Sequence, residues 1–443
     1  MSFPAYETYK DSGAAWLGAV PGHWQIEKIR HQANLAGEKV DGSGSAANYV
    51  GLEHVQSGTG QFVVSFEGMQ TEAESTVNTF KTGDVLFGKL RPYLAKAVVA
   101  ATDGICSSEF LVLRPVSVDP NYLKFCLLFE GFIRTVDAST FGSKMPRVDW
   151  TFISQLRLPK PPADEQQAIA DYLDTETARI DALIREKEGL VRLLRERRIG
   201  VFETLLSETA MSCGGRPSNR FPWLCVVPAT WTCLRVKHIV QSFDQGISPQ
   251  CEARVPDEHE WGVLKVGCVN SGVFNAKESK ALPPEIDPIQ EITLHEGDVL
   301  VSRANTKNLV GRAAMADKPY PRLMLSDKLY RLKLDRNRCN PAFLVGFLTL
   351  PAIRVRIEER ATGASASMLN IDRRTILELE LPLPPIDQQQ VIVMAADRES
   401  AEIQDLTAHV TAEITLLKEL RAATIADAVL GRIDVRTHSA TPA

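Results

Sequence analysis

The chain has 443 residues, 44% of them hydrophobic and 24% charged, which is typical of a globular protein of two or three domains. No apolar run approaches the roughly 20 residues of a membrane helix, and the N-terminal segment lacks a signal-peptide pattern, so we expect a cytoplasmic protein. The formal net charge of −5 counts mildly against nucleic-acid binding, although a whole-chain sum can hide a local basic face.

The first part of the chain, residues 1–162, alternates short apolar runs with glycine-containing turns. Val98-Val99-Ala100 and Phe110-Leu111-Val112-Leu113 are two such runs. Apolar and β-branched runs of this length, bounded by turn residues, are typical of strands. We therefore expect a mixed α/β domain built round a twisted sheet.

A basic, polar segment follows the turn Gly83-Asp84-Val85-Leu86. Arg and Lys side chains bind guanine edges and phosphates, so a segment of this composition is a candidate for contact with DNA. A solvated basic loop without a ligand is the alternative interpretation. If the segment faces DNA, its candidate contacts are Lys89, Arg91, Tyr93 and Lys96.

A second candidate segment, residues 141–147, lies before the first helical region. Glycine beside small hydroxyl residues lets a backbone approach a phosphate closely. The alternative is a tight loop that packs against its own domain. The candidate contacts in this segment are Ser143, Lys144 and Arg147.

Residues 163–214 are poor in glycine and proline and rich in Ala, Glu, Leu, Gln and Arg, which predicts a long helix followed by a linker. Apolar residues recur at spacings of mostly three and four, for example at Ile180, Leu183 and Leu190, which indicates a seam of coiled-coil type. The helix should begin after Pro162 and continue for about 40 residues.

The second half of the chain repeats the first. Gly83-Asp84-Val85-Leu86 returns as Gly297-Asp298-Val299-Leu300, and Leu158-Pro159-x-Pro161-Pro162 returns as Leu381-Pro382-x-Pro384-Pro385. The two copies of the second motif lie slightly further apart in the sequence than the two copies of the first. Motifs that return in the same order with a growing offset indicate a duplication with small insertions in loops.

The duplication predicts a second mixed domain at residues 215–385, a second long helix at 386–432 and a flexible tail at 433–443. Internal pseudo-twofold symmetry would make the two helices antiparallel. The predicted fold class is therefore α/β (α+β), with two duplicated mixed domains separated by a pair of long antiparallel coiled-coil helices.

The repeat places two further polar segments at the positions that match those of the first half. Residues 362–368 match 141–147, and the other segment follows Val299-Leu300. Asn side chains read adenine, and Ser or Thr can contact several bases. The frames match while the side chains differ, as a bipartite asymmetric DNA site requires. The candidate contacts are Ser302, Arg303, Asn305, Thr306, Lys307, Asn308 and Arg312.

Catalytic and cofactor motifs are missing from the sequence. It has no phosphate-binding loop, dinucleotide-binding glycine motif, nucleophile elbow or zinc-protease helix. The eight cysteines form no C-x-x-C pair, so we expect reduced, mostly buried thiols and no zinc site.

One segment, Asn340-Pro341-Ala342-Phe343, is similar to a loop of amino-methyltransferases. Asp119-Pro120-Asn121-Tyr122 stands at the matching place in the first half, and a helix N-cap followed by proline explains both copies. We therefore expect a DNA-binding protein that is not an enzyme by itself. The alternatives are an adapter for another methyltransferase or nuclease, a self-sufficient enzyme and a purely structural coiled coil.

Three features together resemble the specificity subunits of type I restriction–modification systems. The segment Tyr9-Lys10-Asp11-Ser12-Gly13-x-x-Trp16-Leu17-Gly18 with Pro21-x-x-Trp24 resembles the start of those subunits. Each Leu-Pro-x-Pro-Pro border, together with the long helix that follows it, is similar to one of the family's two conserved helical regions. The Gly-Asp-Val-Leu turns resemble turns inside its target-recognition domains.

The resemblance implies two target-recognition domains, each reading one half of a split site in double-stranded DNA. It also implies two methyltransferase (M) subunits that bind S-adenosylmethionine, and restriction (R) subunits that use ATP and Mg. Cofactors would then belong to those partners and none to this chain, and no membrane would be involved.

Overall fold

The computed structural model describes residues 4–42, 48–63, 76–142, 144–365 and 368–437. The chain divides into two compact units. Unit 1 comprises Met1–Gly189 and Val410–Ala443, and unit 2 comprises Leu190–His409. Each unit therefore contains one mixed domain together with parts of two long helices. Among the described residues, no helix has both the length and the apolar character needed to cross a membrane.

Unit 1 is built on two four-stranded sheets. Their strand orders are β5-β7-β10-β6 and β4-β11-β8-β9, and the pairs β1-β2 and β12-β3 are separate. The strands are β1 (Tyr9–Asp11), β2 (Ala19–Pro21), β3 (Gln25–Lys28), β4 (Ala33–Ala36), β5 (Lys39–Asp41), β6 (Tyr49–Val50), β7 (Thr76–Phe80), β8 (Val85–Gly88), β9 (Ala97–Val99), β10 (Gly104–Ser107), β11 (Phe110–Pro115) and β12 (Arg157–Lys160). The helices are α1 (Ile29–Gln32), α2 (Pro120–Leu128), α3 (Glu130–Asp137), α4 (Trp150–Ile153) and the first part of α5 (Ala163–Ser212).

The apolar run at β11 is buried on both faces of its sheet. Phe110 and Val112 belong to one hydrophobic cluster, whereas Leu111 and Leu113 belong to another that includes Phe125 of α2. Successive side chains of a strand point to opposite faces, so one strand contributes to both clusters. This double burial explains why the run is continuously apolar and does not alternate.

Unit 2 repeats this plan. Its sheets have the orders β16-β24-β20-β22 and β18-β17-β23-β19, with a three-stranded sheet β21-β26-β25 and the pairs β13-β14 and β15-β27. The strands are β13 (Gly215–Arg216), β14 (Val227–Pro228), β15 (Thr232–Arg235), β16 (Val240–Gln245), β17 (Gly262–Leu264), β18 (Ser279–Ala281), β19 (Thr293–Leu294), β20 (Val299–Ser302), β21 (Ala304–Asn305), β22 (Ala313–Met315), β23 (Tyr320–Met324), β24 (Leu329–Leu334), β25 (Thr362–Ser365), β26 (Met368–Asn370) and β27 (Glu380–Leu383). The helices are α6 (Pro341–Thr349), α7 (Pro351–Glu359), α8 (Arg373–Leu377), the remainder of α5 and the first part of α9 (Ile386–Val429).

The repeated Gly-Asp turn has the same structural role in both units. Asp84 accepts a hydrogen bond from the Lys81 amide at 2.8 Å and binds Arg114 of β11 through both carboxylate oxygens. Asp298 accepts from the His295 amide at 2.8 Å and lies 3.8 Å from the guanidinium of Arg331 on β24. In each copy a buried carboxylate closes the turn and links it to the neighbouring strand.

The repeated Pro-Pro border is a joint between a domain and its long helix. Gln166 accepts from the Asp119 amide at 2.7 Å and donates to the Pro161 carbonyl at 2.8 Å. Gln389 makes the same two bonds, to the Asn340 amide and the Pro384 carbonyl, both at 2.8 Å. The duplicated glutamine therefore ties the start of each long helix to the start of α2 or α6.

The two predicted helix caps are confirmed. The Asp119 carboxylate accepts from the Tyr122 amide, and the Asn340 side chain accepts from the Ala342 amide, each at 2.9 Å. Proline stands at the first position of α2 and α6. The loop that resembles part of a methyltransferase is thus the beginning of an ordinary helix.

Helix α5 has 50 residues and is longer than the roughly 40 residues expected, whereas α9 has 44 residues and ends within the predicted range 386–432. They run antiparallel within each unit. In unit 1, ion pairs join Asp181 to Arg421 and Lys187 to Glu413. In unit 2, Arg197 pairs with Glu399.

The predicted seam of α5 was partly wrong. Ile180 is buried as expected, but Leu190 is 38% exposed and Leu183 is only partly buried. Ile184 and Val191, one position further along, are buried instead. Neighbouring apolar residues permit either phase. Ile184 lies beside Ile425 of α9 and also beside Ile133 of α3, so the surrounding fold selects the second.

The cysteines are all free, as expected, but fewer are buried than predicted. Cys213 and Cys225 are exposed, and Cys233 and Cys251 are partly exposed. Burial raises the pKa of the other thiols to about 12, which suppresses the reactive thiolate at neutral pH. These buried thiols are Cys106, Cys126, Cys268 and Cys339.

Candidate nucleic-acid interface

Residues 89–96, here called loop 1A, leave the end of β8 in an unusual backbone conformation. A short 3-10 turn, Pro92–Leu94, lies between Arg91 (φ 51°) and Ala95 (φ 48°). Both flanking residues are therefore left-handed although neither is glycine. Such a conformation costs of order 1 kcal/mol or more per residue and persists only where the surroundings enforce it.

Main-chain hydrogen bonds hold both ends of loop 1A. The Arg91 amide donates to the Pro146 carbonyl at 2.8 Å, and the Gly58 amide donates to the Ala95 carbonyl at 3.0 Å. The Val148 amide donates to the Lys89 carbonyl at 3.1 Å. Residues 141–147, here called loop 1B, therefore lie directly beside loop 1A. The two segments that the sequence singled out separately form one surface.

The predicted side chains of this surface fall into two groups. Arg91, Tyr93 and Lys144 are exposed, and Lys89 is partly exposed. No hydrogen bond or ion pair is found for these four side chains within the described residues. Ser143 lies outside the described residues.

The second group is already engaged inside unit 1. Arg147 binds Glu109 with two parallel hydrogen bonds of 2.9 and 3.0 Å. Lys96 donates to the Leu52 carbonyl at 2.6 Å, and desolvation by burial lowers the pKa of its ammonium group. Both basic residues stabilise the loops, so we assign them a supporting position.

Unit 2 brings its two predicted segments together by strand pairing. Loop 2A (residues 302–312) contains β21, and loop 2B (residues 362–368) contains β25. Strand β26 pairs with both, so that Ala304 lies opposite Asn370 and Thr362 also lies opposite Asn370. Residues 366 and 367 of loop 2B lie outside the described residues.

Thr306, Lys307 and Asn308 are exposed at the tip of loop 2A. The other predicted contacts in this loop are at least partly engaged. Arg303 donates to the Asp327 carbonyl at 3.2 Å, Asn305 donates to the Asn270 side chain at 3.0 Å, and Arg312 donates to the Asn308 carbonyl at 3.4 Å.

The structure argues against Ser302 as a contact. Its side chain is fully buried, and its hydroxyl donates to the Leu309 carbonyl at 2.6 Å. The residue closes the base of loop 2A, because this bond links the end of β20 to the far end of the loop. A hydroxyl in that position cannot reach a ligand while the loop keeps its shape.

The structure also adds basic residues that the sequence analysis missed. Arg356, Arg360 and Arg374 line an open surface cavity of about 850 Å³ together with Thr362 of loop 2B. Four carboxylates also line it, those of Glu359, Asp372, Glu378 and Glu380. We find no ion pair for these three guanidinium groups in the part of the chain that the structure describes. These arginines were hard to recognise as a group in the sequence, because only Arg356 and Arg360 are close together, one helical turn apart, and Arg374 lies further along the chain. Nor do the described ranges contain a group of three or more His, Cys, Asp or Glu side chains able to hold a metal ion.

Comparison with known protein families finds matches to the two regions of the chain that contain these loop pairs. A model of the type I restriction modification DNA specificity domain matches residues 69–190 and 256–416, which together make up more than half of the chain. The chain belongs to this family. Each matched segment of this DNA specificity family includes one pair of the loops described above.

Named relatives agree with this assignment. The type I restriction enzyme EcoEI specificity subunit of Escherichia coli is 31% identical over 168 residues, which span 38% of this chain and 28% of that subunit. Relatives are thus named as specificity subunits, in agreement with the predicted resemblance to that family.

Solved structures show the same fold. A chain from a structure concerning complex assembly and conformational transition of the type I R-M system has a TM-score of 0.68 at 20% identity, and the match covers 94% of this chain and 99% of that one. The HsdS subunit from Thermoanaerobacter tengcongensis gives a TM-score of 0.50 at 20% identity, covering 94% and 98%. The predicted fold class, with two mixed domains and long helices, is confirmed.

Proposed function

We propose that this chain reads DNA sequence as the specificity subunit of a type I restriction–modification complex. One observation carries the proposal. The same backbone plan presents a polar loop pair twice, with different exposed side chains in each copy. Unit 1 offers Arg91, Tyr93 and Lys144, whereas unit 2 offers Thr306, Lys307 and Asn308. Two sheets with the same strand order, β4-β11-β8-β9 and β16-β24-β20-β22, that carry different loops and side chains suit a target made of two different half-sites.

The exposed groups have suitable chemistry for DNA. Arg and Lys recognise guanine and phosphates, Asn recognises adenine, and arginines near the loops would add sequence-independent contacts to the backbone. Arg356, Arg360 and Arg374 would act in this second way beside loop 2B. The formal net charge of −5 does not oppose this assignment, because Arg91, Lys144 and Lys307 are exposed on the loops themselves.

The proposal includes partners that carry the chemistry. Two methyltransferase (M) subunits would bind S-adenosylmethionine, and restriction (R) subunits would use ATP and Mg for cleavage. The complex would act on double-stranded DNA in the cytoplasm. This chain would recruit the partners and select the site, and its own residues would perform no bond-breaking step.

Methylation mapping tests the proposal. The chain is co-expressed with its M subunits, and methylated adenines are located across the host genome. We expect methylation at one bipartite sequence, and none when this chain is omitted. Methyl transfer by the purified chain alone, after removal of any M subunit, would contradict the assignment. Methylation without any common sequence would do so as well.

A further inference from the structure

A buried arginine of α9 contacts a loop of the mixed domain in unit 1. Arg421 is 8% exposed and donates from Nε to Asp181 of α5 at 2.8 Å. Its two terminal nitrogens donate to the carbonyls of Gly58 and Thr59, at 2.6 and 2.9 Å. A single side chain therefore joins both long helices to residues 56–59.

Residues 56–59 in turn hold loop 1A. The Gly58 amide donates to the Ala95 carbonyl at 3.0 Å, and Ala95 is one of the two left-handed residues of that loop. Tyr93 of loop 1A, residues 56–59 and Arg421 line one cavity of about 410 Å³. The path from Arg421 to the strained end of loop 1A passes through Gly58.

Arg421 makes more hydrogen bonds to the loop at residues 56–59 than to the other long helix. Two of its three hydrogen bonds go to loop carbonyls and one goes to Asp181. A buried ion pair gains little stability over apolar residues of similar size, because both charges lose their hydration. Its geometry, however, is directional, and a guanidinium can fix two carbonyls at once.

Unit 2 offers a matched position without this contact. Gln166 at the first helix border corresponds to Gln389 at the second, and by the same offset Arg198 of α5 corresponds to Arg421 of α9. Arg198 lines a cavity of about 450 Å³ with Ser271 and Gly272, the repeat of Ser57 and Gly58. Its side chain is exposed, and no hydrogen bond from its guanidinium is found among the described residues.

We propose that Arg421 is a positioning residue that sets DNA discrimination in unit 1 by holding Gly58, and through it the left-handed end of loop 1A. This inference rests on the proposed function, because it assigns loop 1A to one half-site. Arg198 lacks the equivalent bonds, so discrimination in unit 2 does not depend on it. The two half-sites are thus read by loops that differ in how they are held.

Three variants test the inference in the full chain, co-expressed with M subunits. Arg421→Lys keeps a charge beside Asp181 but cannot reproduce three divergent hydrogen bonds. The double variant Arg421→Met with Asp181→Leu removes the ion pair and the loop contacts while it keeps an apolar helix contact. Arg198→Met is the matched control. Thermal unfolding confirms that each variant folds.

The first readout is amide hydrogen exchange, which needs no DNA. In both Arg421 variants, exchange in residues 89–96 should become faster, while Arg198→Met leaves this segment unchanged. Unchanged exchange of residues 89–96 in a folded Arg421 variant overturns the inference, whatever the function of the chain.

The second readout is binding to duplexes that carry the mapped target with one half-site altered. The half-site that survives an exchange of residues 225–380 belongs to unit 1. Discrimination there should fall about tenfold in both Arg421 variants, the size of one base contact, and stay unchanged at the other half-site. Equal losses at both half-sites, or none, overturn the positioning role. A wild-type complex without discrimination at either half-site instead refutes the proposed function.

Discussion

At the scale of single residues, hydrogen bonds within the protein distinguish two groups of basic side chains. Those that are already bonded shape the loops, and those that project into solvent can contact a ligand. Arg147 and Lys96 are basic and lie at the candidate surface, yet Glu109 and the Leu52 carbonyl already bind them. Arg91 and Lys307 carry the same charge and project into solvent. Replacing the first pair should alter loop shape, whereas replacing the second should alter contact with DNA.

Arg91→Ala and Lys307→Ala should each weaken DNA binding. If the side chain contacts a base, the loss should be about 1–3 kcal/mol and confined to one position of the target. If it contacts a phosphate, binding should weaken for every sequence, and the slope of log affinity against log salt should fall by roughly one. Fluorescence anisotropy over a salt series distinguishes the two results.

Ser302→Ala is the matched control for this pair. It removes a buried hydroxyl bond and should lower the free energy of unfolding by about 1 kcal/mol without changing the salt slope. Wild-type affinity and wild-type salt slope in both Arg91→Ala and Lys307→Ala would return loops 1A and 2A to the interpretation of solvated basic loops.

At the scale of elements, the middle of α5 contains two glycines with free space around them. A Cβ atom built on Gly189 or Gly200 has no neighbour within 4 Å. Both positions are helical, and glycine there is less favourable than alanine by about 0.5–1 kcal/mol because of its greater freedom in the unfolded chain. Gly189→Ala and Gly200→Ala should therefore each raise the free energy of unfolding by that amount.

Urea denaturation followed by circular dichroism measures this gain. Gly346→Ala in α6 provides the opposite control, since its added methyl group would collide with the ring of Phe202. That variant should be less stable than the wild type. Lower stability in both α5 variants would mean that these glycines serve a local distortion of the helix.

The positions of several helices could be predicted from the sequence, whereas the side chains that α5 buries depended on packing. Composition located both long helices, and N-cap chemistry located the starts of α2 and α6. The α5 seam was misplaced by one residue only at Leu183 and Leu190, since Leu183 and Ile184 are both apolar and periodicity alone ranks them equally. Only the packing of distant parts of the chain decides which one is buried.

The candidate loops could be located in the sequence, although their internal bonds could not. The repeat marked loops 1A, 1B, 2A and 2B at matching positions of the two halves, and the fold brings 1A beside 1B and 2A beside 2B. It could not separate Arg147 from Lys144, since the partner of Arg147 is Glu109, 38 residues away. Arg356 and Arg374 escaped notice because they come together only through the fold. Contacts between distant residues carry no local pattern.

At the scale of the whole molecule, each half of the sequence supplies its own sheets, turn carboxylate and helix joint. This independence predicts that the two half-sites can be changed separately. Exchanging residues 225–380 for the matching segment of a relative should alter only one half of the methylated sequence. Methylation mapping of cells that carry the chimaera with its M subunits gives the result.

Gln389 lies outside the exchanged segment and is retained in the chimaera. Its hydrogen-bond partners at residues 338 and 340 lie inside the segment and are exchanged. Both partner groups are main-chain atoms, so the joint should re-form with a different sequence. A change in both half-sites would show that the halves do not read independently. An unchanged sequence would place recognition outside residues 225–380.

The main-chain bonds that hold loop 1A affect how easily its side chains can change during evolution. The bonds that fix its ends, from the Arg91 amide to Pro146 and from Gly58 to the Ala95 carbonyl, involve only main-chain atoms on the loop. Nearly every amino acid offers the same atoms. Apart from Lys96, whose side chain is part of the support, the shape of the loop therefore depends little on the side chains that it displays. Natural selection can exchange those side chains one at a time without rebuilding the support beneath them, so a new preference lies within a few mutations of an old one.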